Sequence, residues 1–316
     1  HNAAVLERQL REFAPDVVAW WSMGGMSLSL LERVRRRSLP AIGFVADDWL
    51  VYGPLVDQWT RPFRCSRGLA GVAERLTGLP ARVSLDDAAR YVLISEAVRG
   101  AARASGLRLP DSTIAHLGVD PAFLDPRPER PWRWCLLYVG RLDPRKGVED
   151  AIAALSELPP EATLRIAGDG DPGERRRLQE LVERRRLGER VQLLGARSHA
   201  ELPELYDAAD AVLFPVRWSE PWGIVPLEAM GFARPVIATG RGGSGEYLRD
   251  GENAVIVPPE RPAALAAAVR RLHGTPELRA RLRAGGLATA RTHTETVFNE
   301  AVEAALGDAI ATGAEH

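Results

Sequence analysis

Short apolar runs alternate with amphipathic helical stretches along this chain of 316 residues. Continuous apolar runs suit parallel strands that are covered on both faces, and their alternation with helices is typical of α/β layer folds. Residues 47–80 lack this pattern and are predicted as a long loop with one helix. The predicted strands are Val17–Trp21, Ala41–Ala46, Tyr91–Ile94, Ile114–Leu117, Cys135–Val139, Thr163–Ala167, Val191–Leu194, Ala211–Pro215 and Pro235–Ala238.

A proline-rich segment between Asp120 and Pro131 divides the alternation into two halves. The chain length fits about two domains, and the composition shift at this segment indicates a linker. We predict two Rossmann-like, doubly wound domains, residues 1–127 and residues 128–290, that face a cleft.

Composition and charge exclude several classes of protein. The net charge is −1, which disfavours a nucleic-acid partner, and no apolar run approaches the roughly 20 residues of a membrane span. The cysteines, Cys65 and Cys135, form no CxxC pair, and the six histidines show no HExxH spacing. The lack of a CxxC pair excludes a zinc site built on thiolates, and we predict a cytoplasmic protein without a cofactor.

The loop at residues 140–147 follows a predicted strand and carries an unusual cation. Lys146 is the only lysine among 41 lysines and arginines, and Arg141 lies in the same loop. The loop lacks the Walker order of residues, yet it lies at the carboxyl edge of a parallel sheet, where such sheets bind ligands. A mobile ammonium and a planar guanidinium suit a diphosphate. The alternative is a solvated loop.

The string Gly168–Gly173 matches the GxGxxG pattern of dinucleotide sites. Two aspartates within it would repel a pyrophosphate, so we predict a structural turn here instead.

The segment from Ser219 to Glu228 follows another predicted strand. Gly223 allows close approach of the backbone, and Pro226 fits the first turn of a helix. The amides of Gly223 and Ile224 would then form an anion site at the helix N-terminus. Glu220 and Glu228 would face the same cleft and accept hydrogen bonds from a polyol such as ribose or a sugar.

The eight-residue separation of Glu220 and Glu228 resembles the E-x7-E motif of retaining GT-B glycosyltransferases. The chain is similar to glycosyltransferase group 1, family 4, most densely from 134 to 258. The supporting motifs are Val139-Gly140-Arg141-Leu142, Lys146-Gly147, Ile166-Ala167-Gly168-Asp169-Gly170, Leu194-Gly195, Leu205–Asp210, Gly242–Glu246 and, in the amino half, Pro15–Val18 and Gly118-Val119-Asp120.

This resemblance implies roles for individual residues. Arg141 and Lys146 would neutralise the leaving diphosphate, Glu228 would hold the ribose hydroxyls, and Glu220 would contact the donor sugar. Arg197 would lie near the base, and no metal would be needed. The implied donor site comprises Gly140, Arg141, Lys146, Arg197, Glu220, Gly223, Ile224 and Glu228, of which Arg141, Lys146 and Glu220 are predicted to be catalytic.

The chain departs from the family pattern in its first domain. It begins at what resembles a late βα unit, so we expect this domain to lack its first units. Ala46 stands where many relatives have a histidine before Asp47, Asp48 and Trp49, the residues expected on the acceptor or sugar side. The resemblance also implies that a carboxy-terminal helix, residues 291–316, packs back on the first domain.

The resulting prediction is a retaining, hexosyltransferase-type enzyme that moves a sugar from a nucleotide-diphosphate sugar to a small-molecule, glycan or lipid acceptor. Contact with a membrane surface stays open. The alternatives are an inactive or incomplete donor-binding relative that serves as a partner subunit, and a GT-B sugar-nucleotide epimerase. A glycoside hydrolase would use two carboxylates but would leave Arg141 and Lys146 without a role.

Overall fold

The computed structural model describes residues 1–313, which form two compact units. Unit 1 contains residues 1–116 and the described residues from Phe298 onward, and unit 2 contains Leu117–Val297. The proline-rich segment 120–131, where the sequence predicts the boundary, lies within unit 2. No helix in residues 1–313 is both long enough and apolar enough to cross a bilayer.

Unit 1 is built on a parallel sheet whose strands follow chain order, β1-β2-β3-β4. The strands are β1 Val18–Trp21, β2 Ala41–Val45, β3 Arg90–Leu93 and β4 Ser112–Ile114. The helices are α1 Asn2–Phe13, α2 Ser29–Arg35, α3 Trp49–Val56, α4 Arg67–Thr77, α5 Leu85–Ala88 and α6 Glu96–Ala104, with 3-10 turns at Met23–Gly25 and Arg61–Phe63.

The last helix, α13 Glu295–Gly313, contributes to the core of unit 1. Phe298, Val302 and Leu306 recur on one face of this helix and pack against a buried cluster that includes Ile42 and Phe44 of β2.

Unit 2 has a parallel sheet of order β10-β9-β8-β5-β6-β7. The chain runs outward from β5 in one direction and from β8 in the other, so the order reverses between these two neighbouring strands. Such a reversal is a topological switch point, where the loops after the two strands diverge and leave room for a ligand. The strands are β5 Cys135–Val139, β6 Thr163–Ala167, β7 Val191–Gly195, β8 Ala211–Phe214, β9 Val236–Ala238 and β10 Val255–Ile256.

The helices of unit 2 cover its sheet and bury a large aliphatic cluster against β5, β6 and β8. They are α7 Val148–Leu155, α8 Pro172–Arg184, α9 Leu202–Ala208, α10 Ile224–Gly231, α11 Pro262–Gly274 and α12 Pro276–Thr292, with 3-10 turns at Pro121–Phe123, Pro144–Lys146, His199–Glu201 and Gly243–Glu246.

Two predictions about local structure are wrong. Residues 47–80 form two α-helices and a 3-10 turn, and not a long loop with one helix. The strand expected at Ile114–Leu117 is Ser112–Ile114, since Ser112 pairs with Tyr91 of β3 and Ile114 pairs with Leu93. Both errors arise where polar residues or exposed apolar residues break the buried pattern.

Candidate functional site

The loops after β5 and β8 meet at the carboxyl edge of the unit 2 sheet. Gly147 closes the first loop with a φ of +72°, and a Cβ there would lie 2.0 Å from the carbonyl oxygen of Pro215 in the second loop. Only glycine fits this approach. The contact places Lys146, the preceding residue, beside the loop that carries Glu220.

Lys146 and Glu220 form a largely buried ion pair across these two loops. The Lys146 Nζ donates to Glu220 Oε1 at 2.8 Å and to Oε2 at 2.6 Å. The indole Nε1 of Trp218 also donates to Oε2, at 2.8 Å. The two side chains are only 14% and 9% exposed, so the pair lies in a medium of low polarity, where each charge depends on the other.

A second ion pair joins the loop after β8 to the start of helix α7, which directly follows the loop after β5. Arg217 donates from Nε and a terminal nitrogen to both oxygens of Asp150, at 2.8 and 2.6 Å, and it also pairs with Glu149. The backbone N–H of Arg217 donates to the carbonyl of Arg145 at 2.8 Å. Because Asp150 lies four residues after Lys146 and Arg217 lies three before Glu220, this brace fixes the Lys146–Glu220 geometry.

Helix α10 points its N-terminus at the same edge. Gly223 is its N-cap, with a φ of +88°, and a Cβ there would lie 2.9 Å from the Phe214 ring. The hydroxyl of Tyr247 donates to the Gly223 carbonyl. No side chain of the described residues caps this terminus, so the helix start at Ile224 has N–H groups available for an anion.

Glu228 lies in the second turn of α10 and is paired with a neutral group. The hydroxyl of Tyr206 donates to Glu228 Oε2 at 2.5 Å, and the Tyr206 side chain is fully buried. Burial raises the pKa of Glu228, and the Tyr206 hydrogen bond and the charge of His199 oppose this rise. Since Tyr206 occupies one carboxylate oxygen, the other is the one left for a ligand hydroxyl.

The other predicted cations are more exposed. Arg141 has an exposed side chain and, among residues 1–313, no ion-pair partner. Arg197 donates to Glu201 Oε1 at 3.0 Å and to the carbonyl of Leu194 at 2.7 Å. Within the described chain neither bonds to Lys146, Glu220 or Glu228. Gly140, the first residue after β5, donates its N–H to the carbonyl of Ala167 at 3.0 Å.

The residues predicted on the acceptor or sugar side, Asp47, Asp48 and Trp49, lie in unit 1, directly after β2. Asp47 accepts from the N–H of Trp49 at 2.9 Å and from the hydroxyl of Tyr52 at 3.1 Å. Burial and the charge of Asp47 raise the pKa of Tyr52 to about 12. Asp48 is half-buried at the start of α3. The Trp49 indole is fully buried and donates to the Phe44 carbonyl at 3.3 Å, so it packs in the core and does not present a surface to a ligand.

The GxGxxG string is a structural turn, as predicted. Asp171 caps helix α8 by accepting from the N–H of Gly173 at 2.7 Å, and Asp169 pairs with Arg175. Within residues 1–313, no group of three or more His, Cys, Asp or Glu side chains is arranged to hold a metal ion.

Four residues that hold the candidate side chains in place were not predicted from the sequence. Trp218, Arg217 and Asp150 hold the Lys146–Glu220 pair in place, and Tyr206 holds Glu228. A usable signal was the aromatic Trp218 two residues before Glu220.

Comparison with known proteins finds relatives for the part of the chain that contains Lys146, Glu220 and Glu228. The family model for glycosyl transferases group 1 matches residues 125–288, just over half of the chain. The alpha-D-kanosaminyltransferase of Streptomyces kanamyceticus is 39% identical over 162 residues, which cover 50% of this chain and 40% of that protein. A glycogen synthase of Mycobacterium tuberculosis is 39% identical over 171 residues, covering 52% and 40%.

The match thus spans about two fifths of the length of these curated relatives. Among solved structures, Anabaena Alr3699/HepE in complex with UDP has a TM-score of 0.76 at 22% identity, covering 97% of this chain and 81% of that chain. This similarity shows the fold and confirms the predicted GT-B class with two Rossmann-like units. Together with the family match, it shows that the chain belongs to the glycosyl transferases group 1 family.

Proposed function

We propose that this protein is a nucleotide-sugar-dependent glycosyltransferase of family 4 that transfers a hexosyl group with retention of anomeric configuration and without a metal ion. The donor is a nucleoside-diphosphate sugar, and the acceptor is a hydroxyl of a small molecule, a glycan or a lipid. The Anabaena protein that shares the fold was solved with UDP and with UDP-glucose, which supports this donor class.

The observation that carries the proposal is the Lys146–Glu220 pair at the switch point, beside the uncapped start of α10. In the transfer, the bond from the sugar C1 to the diphosphate oxygen breaks, and both electrons leave with the diphosphate. The acceptor oxygen forms the new bond to C1, and its proton passes to the departing diphosphate oxygen. Negative charge therefore develops on the diphosphate, and preorganised cations and N–H groups at that point stabilise the transition state.

The remaining site residues fit the rest of the donor. The free oxygen of Glu228 would accept from a ribose hydroxyl, since the other oxygen is held by Tyr206. Glu220 would contact donor-sugar hydroxyls once the diphosphate takes over Lys146. Arg141, exposed in the β5 loop, would add a second cation for the diphosphate, Gly140 would bring its backbone close, and Arg197 would lie toward the base. In unit 1, Asp47 and Asp48 would contact the acceptor or the sugar.

The two cysteines, Cys65 and Cys135, are free, which supports a reducing compartment such as the cytoplasm.

A donor-binding protein without transfer activity is the second candidate. It is favoured by Ala46, which stands where many relatives have a histidine.

The test is a turnover assay with UDP-, GDP-, ADP- and TDP-sugars, following nucleoside diphosphate release and the anomeric configuration of the product. We expect one donor to be consumed, and we expect Lys146→Met and Glu228→Gln each to lower the rate at least about tenfold. Arg184→Met is the control, because Arg184 forms only an exposed pair with Glu180 in the same unit. Binding without turnover would identify the donor-binding alternative, and an epimerised donor without an acceptor would identify an epimerase. If Lys146→Met and Glu228→Gln both retain the full rate, the assignment of Lys146 and Glu228 to the donor site is wrong.

A further inference from the structure

Helix α4 of unit 1 exposes an apolar stripe. Leu69, Val72 and Leu76 are 63%, 53% and 82% exposed, and their spacing places them on one face of the helix. Ala70, on another face, is buried and attaches the helix to the unit. Large exposed aliphatic side chains in a continuous stripe indicate a surface that something else covers.

The same part of the chain carries cations that no acidic group neutralises. Residues 61–82 contain five arginines and one acidic residue, Glu74, which is already bonded to Arg36. All five arginines are exposed, and within residues 1–313 none of them forms an ion pair; they are Arg61, Arg64, Arg67, Arg75 and Arg82. By contrast, the arginines of the neighbouring segment 33–37 are all paired with Glu7, Glu32 or Glu74.

The combination of charge and aliphatic surface selects the kind of partner. A second copy of the chain placed face to face on α4 would bring two cationic patches together, which is repulsive. Single-stranded nucleic acid is bound through aromatic stacking, but the two aromatic rings nearby, Trp59 and Phe63, already contact each other edge to face, and the Trp59 indole donates to the Pro80 carbonyl. An anionic lipid surface can contact both the arginines and the aliphatic stripe, because its headgroups bind arginine and its acyl boundary accepts aliphatic side chains.

We propose that residues 61–82 dock the protein on the surface of an anionic membrane, with α4 lying in the plane of the interface. Leu69, Val72 and Leu76 enter the boundary between headgroups and acyl chains, and the five arginines bind lipid phosphates. The proposal is independent of the donor site, which lies in unit 2.

The test is sedimentation of the 316-residue protein with vesicles of phosphatidylcholine alone and with vesicles of equal parts phosphatidylcholine and phosphatidylglycerol. We expect binding only to the anionic vesicles, and we expect salt to weaken it. Arg64→Gln/Arg67→Gln should reduce the partition coefficient about 25-fold, because each arginine contributes a factor of about five. Leu69→Ser/Leu76→Ser should reduce it at least about tenfold.

Matched controls change the same chemistry elsewhere. Arg176→Gln/Arg291→Gln removes two exposed cations from unit 2, and Phe13→Ser removes a 73% exposed apolar side chain from α1. Both should bind like the unchanged protein, and unchanged thermal unfolding of all variants shows that they fold. Absence of binding to anionic vesicles, equal binding by all variants, or a concentration-dependent dimer that Leu69→Ser/Leu76→Ser dissociates would each overturn the proposal.

Discussion

The loop that carries Glu220 and the helix that carries Glu228 hold the same chemical group in two different ways. Glu220 is held by a cation and an indole N–H, and its loop is braced by a second ion pair. Glu228 is held by a single neutral hydroxyl from a fully buried tyrosine. A ligand anion must therefore compete with Glu220 for Lys146, whereas a ligand hydroxyl can add to Glu228 without displacing Tyr206. Ligand binding therefore replaces the partner of Lys146 at Glu220, whereas Glu228 keeps its hydrogen bond to Tyr206.

The strongest test of this contrast removes the cation. Lys146→Met leaves the Glu220 carboxylate buried without its counter-ion, and we expect the free energy of unfolding to fall by about 3–5 kcal/mol in urea titrations at neutral pH. The double variant Lys146→Met/Glu220→Gln should recover most of this loss, because no unpaired charge then remains. Equal stability of the single and double variants would contradict a buried, mutually dependent pair.

Removing the brace should have the next largest effect. Arg217→Gln breaks the double hydrogen bond to Asp150, which is 5% exposed, and we expect a loss of about 2–3 kcal/mol in the same titrations. Arg217→Lys retains the charge but loses the planar double contact, so it should recover only part of the stability. If Arg217→Gln unfolds at the same urea concentration as the unchanged protein, the brace is not structural.

On the side of Glu228, we expect Tyr206→Phe to cost about 1–3 kcal/mol by leaving a buried acceptor without its donor. The cost should also depend on pH. The pKa of Glu228 is raised above 4.5 in the folded state. Between pH 4.5 and this raised pKa, the folded state therefore binds more protons than the unfolded state. Stability therefore falls as pH rises from 4.5 through the raised pKa and then becomes constant.

Because the Tyr206 hydrogen bond lowers the pKa of Glu228, its removal should extend this fall to higher pH. Glu228→Gln is the control and should remove this part of the pH dependence altogether. Urea titrations on both sides of the window measure the effect. A Tyr206→Phe cost that is the same at every pH would show that Tyr206 acts only by packing.

The smallest effect is expected at the surface pair next to Lys146. Arg145, 52% exposed, donates to Asp143 and holds its pKa at about 2, below the usual 3.8. The pair contributes stability above pH 3.8 that is lost as pH falls through about 2. Arg145→Gln should raise the pKa of Asp143 and cost less than about 1 kcal/mol, measured by acid titration. A loss as large as that of Lys146→Met would remove the distinction between the buried and the exposed pair.

The sequence predicted five of the six strands of unit 2, because apolar residues dominate them; the two-residue strand β10 was not predicted. Cys135–Val139 and Thr163–Ala167 are strands with the predicted bounds, and both contribute to the buried cluster. Unit 1 was predicted less well. Strand β4 begins with Ser112 and Thr113 and is only partly buried, and α4 exposes the apolar face that a pattern analysis assigns to the core.

For the candidate site, the sequence indicated the charged residues but not their partners. Lys146 and Glu220 are separated by 74 residues and Tyr206 and Glu228 by 22, so only the order of strands and helices brings them together. The burial of Trp49 could not be predicted from the sequence either, because an aromatic residue beside two aspartates suits a binding site and a core position alike.

The central claim is that Lys146, beside Glu220 and the start of α10, binds the diphosphate of a nucleotide. Calorimetric titration of UDP, GDP, ADP and TDP into the unchanged protein, Lys146→Met and Arg184→Met tests it directly. We predict that at least one nucleotide binds the unchanged protein and Arg184→Met with the same affinity, and that it binds Lys146→Met at least about tenfold more weakly. No binding by any nucleotide, or equal binding by all three proteins, would contradict the claim.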